Sequence, residues 1–252
     1  MVYQRIRLSA KGLSGMGSIS TDDIRAMPCY SIPEAAHYLR IPVTTLRSWV
    51  RGRKYPTSEG DQFFQPVIEL PDDSQNLLSF INLVEIHVLD AIRRDHLMSL
   101  HKVRIAIDFI KKVLTPDHPL AYHKLETDGL DLFVEEYGQL INVSQAGQLV
   151  LRSLLQAHLR RIDRDSAGYA LRLYPFTRKR LGQQPIEEPK AIVIDPRISF
   201  GRPVLAGTGI PTAIIAERYK AGEAIGALAD DYGRSTLEIE EAIRCELYTR
   251  AA

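Results

Sequence analysis

Five residues between Thr44 and Arg51 carry the groups that nucleic-acid recognition needs: the hydroxyls of Thr44, Thr45 and Ser48 and the guanidiniums of Arg47 and Arg51. Hydroxyl and guanidinium groups bond phosphate oxygens, and arginine can also bond base edges in a major groove. Leu46, Trp49 and Val50 interleave with them at helical spacing, so the apolar trio takes one face of a helix and the polar residues another. Arg53 and Lys54 follow directly and lengthen the cationic run. Thr44, Thr45, Arg47, Ser48, Arg51, Arg53 and Lys54 are therefore the candidate DNA-binding residues.

The elements around them can be read the same way. Ile32, Ala35, Ala36 and Leu39 recur at i, i+3, i+4, i+7, which predicts a short helix ahead of the polar one. The stretch from Arg40 to Pro42 breaks that pattern, Pro42 suits the start of the second helix and Gly52 its end. Two short helices joined by a tight turn make a helix-turn-helix. Tyr55 to Leu70, with Glu59, Gly60 and Asp61 at its middle and Phe63, Phe64, Val67 and Ile68 after, predicts a β-hairpin, or wing. Only Arg53 and Lys54 at its base are basic, so the wing tip should do little DNA work. Phe80 to Arg94 is apolar nearly all round, as a buried helix is. Ser99 can cap a further helix on which Val103, Ala106, Ile107, Ile110, Val113 and Leu114 form a stripe. Residues 29–115 are thus expected to fold as one DNA-binding domain.

The wording of the helix pair resembles the MerR-type winged helix family, on Ile32, Glu34, Ala35, Ala36, Leu39, Val43, Thr45, Leu46, Arg47 and Trp49. Arg40 departs from that family, whose turn usually has Gly there. A left-handed turn costs a non-glycine residue roughly 1 kcal/mol, so a different turn geometry is expected.

Charge is distributed to match. The chain of 252 residues has a net charge of only +1, which argues against a protein that coats nucleic acid. Yet Met1 to Lys54 holds nine Lys/Arg against three Asp/Glu, while Tyr55 to Ile92 holds seven acidic residues and no Lys or Arg. A phosphate-facing surface is expected to concentrate cations in this way. Cys29 and Cys245 match no metal or redox spacing. No run reaches the length of a membrane span and no signal-peptide order opens the chain, so a cytoplasmic protein without a membrane partner is expected.

Residues 1–28 read as a flexible arm rich in Ser and Gly, with Met16 an alternative start. Past Pro116 and Pro119 a middle block, 120–184, is expected. There Leu130, Leu132 and Val134 alternate, and Gln139 to Val143 lies beyond Glu135-Glu136-Tyr137-Gly138, which predicts a β-hairpin. Ser144 can cap a helix carrying Leu151, Leu154, Leu155 and Leu159. Arg160, Arg161 and Arg164, and then Arg178, Lys179 and Arg180, read as a solvated basic face, with Tyr169 to Tyr174 a short strand between them.

The last block, 189–252, opens with a strand over Ala191 to Ile194. Gly201, Gly207 and Gly209 then make tight turns, and no Lys follows them in P-loop spacing. Pro211 and Thr212 open a helix, Gly222 stops it, and Ile225, Leu228, Ala229 and Tyr232 mark another that Gly233 ends. Ser235 or Thr236 caps a third, giving a three-helix, helix-turn-helix-like domain. From Pro185 on there are eight Lys/Arg against eleven Asp/Glu. Asp230, Asp231, Glu238, Glu240 and Glu241 crowd the turn and would repel phosphate, which suits a protein partner better than DNA.

This block resembles a small domain family of unknown function often described as an antitoxin component of toxin–antitoxin pairs. The matching residues are Gly201, Pro203, Val204, Leu205, Gly207, Thr208, Ile210 and Pro211, then Ala221, Gly222, Leu228, Ala229, Asp231 and Tyr232; Gly209 stands where the family usually has Arg. The resemblance implies a partner toxin, commonly a PIN-like ribonuclease. Gly207, Thr208, Asp230, Asp231, Glu238 and Glu241 are the candidate partner-binding residues. The seven His residues are scattered and build no catalytic or metal-ligating constellation, so neither an enzyme nor a cofactor or metal is expected. The expected fold is mainly α with short β-hairpins: a winged helix-turn-helix domain, a small α/β middle block and the C-terminal helical domain. The expected function is that of a homodimeric DNA-binding antitoxin that neutralises a cognate toxin and represses its own operon. Its rivals are a MerR-like ligand-responsive regulator and an interaction module without DNA binding.

Overall fold

The computed structural model describes residues 20, 22–57, 60–94, 100–114, 118, 120–122, 125–140, 144–178 and 188–247. Ser31 opens the first helix, α1 (Ile32–Leu39), through a capping box. Its hydroxyl accepts from the Glu34 N–H and the Glu34 carboxylate accepts from the Ser31 N–H at 2.9 Å, so two otherwise unpaired donors are satisfied. Ile32, Ala35, Ala36 and Leu39 are all buried. Arg40 ends α1 in the left-handed conformation (φ 56°, ψ 38°), its N–H bonded to the carbonyls of Ala36 and His37. The turn geometry expected to differ without glycine is therefore the left-handed one after all. The second helix, α2 (Val43–Arg51), buries Leu46, Trp49 and Val50.

The wing pairs β1 (Arg53–Thr57) with β2 (Gly60–Phe64), antiparallel, Arg53 opposite Phe64. Val67 and Ile68 do not extend it. Their N–H groups bond the Trp49 carbonyl at 2.8 and 3.1 Å and tie the returning chain to the end of α2. Gly52, between helix and wing, has φ 70°, and a Cβ there would lie 2.1 Å from the Phe64 carbonyl oxygen. Only glycine fits.

The third helix, α3 (Phe80–Arg94), is the central one. Ser79 and Asn82 cap it reciprocally, and Phe80, Ile81, Leu83, Val84, Ile86, Val88, Leu89, Ala91 and Ile92 are buried around its circumference. The next, α4 (Leu100–Leu114), buries Val103 and Ile107. Ser99 and the side chains of Ala106, Ile110, Val113 and Leu114 lie outside the described residues. The middle block corrects the sequence reading. Leu130 to Leu140 is a helix, α5 (Leu130–Leu140), entered through a π-helical turn over Leu125–Gly129, and no hairpin forms there. Leu130, Phe133 and Val134 are buried while Leu132 is 38% exposed, so the burial follows i, i+3, i+4 and not alternation. Residues 141–143 lie outside the described residues. Ser144 caps α6 (Gln145–Leu159), whose Leu151, Leu154, Leu155 and Leu159 are buried. A short hairpin follows, β3 (Ile162–Arg164) against β4 (Ala170–Leu173).

The C-terminal block pairs β5 (Ile192–Val193) with β6 (Val204–Leu205). It then runs through α7 (Thr212–Lys220), α8 (Ile225–Tyr232) and α9 (Thr236–Leu247). Gly233 closes α8 in the left-handed conformation, and Ser235 with Glu238 forms a second capping box. Ile192, Leu205, Ile215, Leu228, Ala229, Ile239, Ala242, Ile243 and Cys245 make a core of their own.

A single core runs from Tyr30 on through α3, Phe133 and Leu155 to Leu173 and Ile194, so the first two expected units pack as one body. The arm is not loose at its end either. Arg25 bonds Asp23 and reaches Asp165 at 2.7 Å, and its carbonyl accepts from the Ile81 N–H. Residues 1–19 lie outside the described residues. The basic run after α6 is only partly a solvated face, Arg160 being exposed. Arg161 is buried and its guanidinium bonds the carbonyls of Tyr174, Pro175, Glu188 and Pro189, while Arg164 is mostly buried and bonds the Ala121 carbonyl. Lys179 and Arg180 lie outside the described residues.

Two seams join the C-terminal block to the rest. At the first, Leu173 and Ile194 exchange backbone hydrogen bonds of 3.0 and 2.8 Å. Beside them the fully buried Glu241 carboxylate accepts from the Thr177 hydroxyl, from Arg178 at 2.7 Å and from Arg244 at 2.6 Å. At the second, α9 lies against α1. His37 faces Glu246 at 3.5 Å, the Arg40 guanidinium donates to the Arg244 carbonyl, and the Tyr30 hydroxyl donates to the Gly201 carbonyl at 3.1 Å.

Candidate nucleic-acid interface

Burying Leu46, Trp49 and Val50 turns the opposite side of α2 outward. Thr44, Thr45, Arg47 and Ser48 there wall an open groove of about 290 Å³, together with Gly52 and Arg53 at the base of the wing and Arg93 near the end of α3. Three guanidiniums thus meet three hydroxyls in one depression. The Ser48 hydroxyl donates to the Thr45 carbonyl at 2.7 Å, which leaves its oxygen able to accept. Pro42 offers no capping side chain to the first turn of α2, and unpaired N–H groups there, at the positive end of the helix dipole, favour an anion.

Five of the seven sequence-predicted DNA-binding residues share this groove. Arg51 and Lys54 are exposed but stand outside its wall. Arg93 is the residue that sequence reasoning missed. Its guanidinium lies 5.8 Å from the centre of the Trp49 ring, a cation–π contact that places the charge beside α2. The available signal was the Arg93-Arg94 pair, the first cations after a 38-residue stretch without Lys or Arg.

The C-terminal candidates are not equally open to a partner. Gly207 is exposed with φ 75°. Beside it the Thr208 hydroxyl donates to the Leu205 carbonyl at 2.8 Å and accepts from the Ile210 N–H at 3.1 Å, so the turn is held by its own side chain. Asp230 is exposed, and Asp231 pairs with Arg218 at 2.5 Å. Glu238 is engaged by Ser235 and Arg234. Glu241 points inward, into the seam with Thr177 and Arg178, and in this fold offers nothing to a partner. Its carboxyl illustrates competing effects: burial pushes its pKa up, but the Thr177 hydroxyl and the Arg178 and Arg244 guanidiniums outweigh burial and hold it below the usual carboxylate value.

The histidines are less scattered than their spacing implies. His87 and His158 are buried with ring centres 4.8 Å apart, and Phe176 stacks on the first. Among the described residues no group of three or more His, Cys, Asp or Glu side chains is arranged to hold a metal ion. Cys29 is exposed, and Cys245 is buried with its thiol pKa pushed up to about 12, chiefly by burial. No helix among the described residues is long and apolar enough to cross a membrane.

A polar groove on the second of two short helices, a two-stranded wing beside it and a buried supporting helix define a winged helix-turn-helix protein. Comparison with known sequences agrees. Residues 28–107 match a family described as "Putative DNA-binding HTH domain", and residues 192–244 match "Protein of unknown function (DUF433)". The chain is 30% identical over 236 residues to "Putative antitoxin VapB45" of Mycobacterium tuberculosis, covering 86% of this chain and 93% of that one. It belongs to the family of that antitoxin. A second relative from the same organism, "Uncharacterized protein Rv2308", is 23% identical over 222 residues, 85% of this chain and 88% of that one. The crystal structure of Rv2018 from the same organism shares the fold, with a TM-score of 0.60 at 23% identity over 86% of this chain and 98% of that chain.

Proposed function

We propose that the protein is a cytoplasmic, non-enzymatic antitoxin that binds the operator of its own operon as a homodimer and neutralises a cognate toxin. The observation that carries the DNA half is the groove in which Arg47, Arg53 and Arg93 converge with Thr44, Thr45 and Ser48. Guanidiniums on a helix face and at the wing base reach phosphates, and the hydroxyls and Arg47 reach base edges when α2 lies in a major groove. Arg51, Lys54 and the uncapped start of α2 widen the phosphate-facing surface. The toxin half rests on membership of the antitoxin family, and the MerR resemblance of the helix pair supports the winged-helix mode of docking. A PIN-like ribonuclease is the toxin class the C-terminal resemblance favours, with Gly207, Thr208, Asp230, Asp231 and Glu238 among its contacts.

Footprinting on the DNA upstream of the operon tests the first half. Protection of an inverted repeat with half-sites about one helical turn, ~10 bp, or a multiple apart is expected. Co-expression with the adjacent reading frame tests the second. If that frame is not toxic, or its toxicity is unaffected by this protein, the antitoxin reading fails.

A further inference from the structure

Phe200 is the most exposed large hydrophobic residue among those described, at 90% of its full surface. It sits in the left-handed conformation (φ 56°, ψ 34°), between Ser199 at φ 49° and Gly201 at φ 74°. A bulky residue with positive φ is a genuine outlier, and it persists only where its surroundings over-determine it. They do so here. The Phe200 carbonyl accepts from the Cys29 thiol, the Gly201 carbonyl accepts from the Tyr30 hydroxyl, and the Ser199 hydroxyl donates to the Gly209 carbonyl at 3.2 Å. A Cβ on Gly201 would lie 2.1 Å from the Tyr30 hydroxyl oxygen. The backbone is clamped on three sides while the ring is thrust into water.

The turn's backbone serves the seam with Tyr30, with Gly201 buried there, but the Phe200 ring contributes nothing to it and stays in water. We infer that Phe200 is a pre-organised anchor that inserts into an apolar pocket, with an acidic rim, on the partner toxin; this rests on the antitoxin reading above. Two further observations set the chemistry of the partner. Arg197 and Arg202, three residues before Phe200 and two after it, are exposed, while the Asp195 carboxylate is fully buried and outnumbered by Arg197 and Arg172. The rim is therefore cationic, and aromatic residues with arginines are what interface centres concentrate. The neighbouring Gly209 has no left-handed backbone and no atom within 4 Å of where its Cβ would stand. Nothing among the described residues requires glycine there, and a bare backbone beside the anchor lets a partner surface approach closely.

The test uses the full-length protein and the product of the adjacent reading frame. Phe200→Gly removes the ring and relieves the left-handed strain, so its melting temperature is held or raised, while its complex with that product weakens at least tenfold. Phe200→Tyr restores affinity to within about threefold, and Gly209→Leu folds normally but binds more weakly. Affinity of Phe200→Gly within twofold of wild type overturns the inference. So does loss of self-association, or of operator binding, with toxin affinity unchanged, since the ring would then serve a second copy or DNA. If the wild-type protein does not bind the adjacent product at all, the antitoxin reading itself falls, an outcome distinct from a wild-type complex that Phe200→Gly leaves intact.

Discussion

Arg47 and Arg51 stand one turn apart on α2, yet only Arg47 walls the groove. They should therefore fail differently. Arg47→Ala should cost operator binding roughly 1–3 kcal/mol and relax the sequence preference at one position, as loss of a base contact does. Arg51→Ala should weaken binding to all DNA about equally and reduce the salt slope by about one, as loss of a phosphate contact does. Titrations on operator and on scrambled DNA at several salt concentrations separate the two. Unchanged operator affinity in the double variant would remove α2 from the interface.

At the scale of elements, the start of α7 depends on the turn before it. Gly207 has φ 75°, and Thr208 and Leu205 close the turn across it. Gly207→Val should strain that turn by about 1–3 kcal/mol, lowering the melting temperature by several degrees while leaving operator affinity intact; calorimetry and a DNA titration check both. Gly209, expected to share this requirement, does not. The helix pair, the wing and the helices of the last block were readable in the sequence because 3.6-residue periodicity, capping residues and glycine stops agreed there. They disagreed in α5. Leu130, Leu132 and Val134 mimic a strand, and Gly138 mimics its turn, but Gly138 lies inside the helix where a Cβ would meet the Gln148 side chain of α6 at 2.8 Å. Close helix packing, which no local pattern reveals, had produced the turn signal. The groove was half legible for a related reason: α2 announces its own polar face, whereas Arg93 comes to it only through the placement of α3 against Trp49.

For the whole molecule, the continuous core from Tyr30 to Ile194 forbids a clean division near Pro116. A fragment starting there loses the central α3 and should be insoluble or unfolded by circular dichroism, so the proposed toxin-binding part is not separable at that point. The seam at Glu241 adds a pH dependence. Its folded pKa lies below the value of 4.5 usual for glutamate, so its contribution is present above that pH and is lost as pH falls through the folded value. Stability should accordingly decline below about pH 4.5, and Glu241→Ala should flatten that decline. The substitution should cost roughly 1–3 kcal/mol at neutral pH, because the buried Thr177 hydroxyl loses an acceptor while Arg178 and Arg244 turn to water. Urea melts across pH 3–7 measure both effects.

The contact of α9 with α1 makes the two halves thermodynamically dependent on each other. The guanidinium that reaches the Arg244 carbonyl belongs to the residue that sets the angle between α1 and α2, and Glu246 faces His37 on the same surface. A partner that shifts α9 by even a fraction of a helical turn must break or remake those contacts, and so changes the free energy of the reading head. By linkage the reverse holds with equal size: on the proposed function, whatever factor a toxin applied to operator affinity, the operator would apply to toxin affinity.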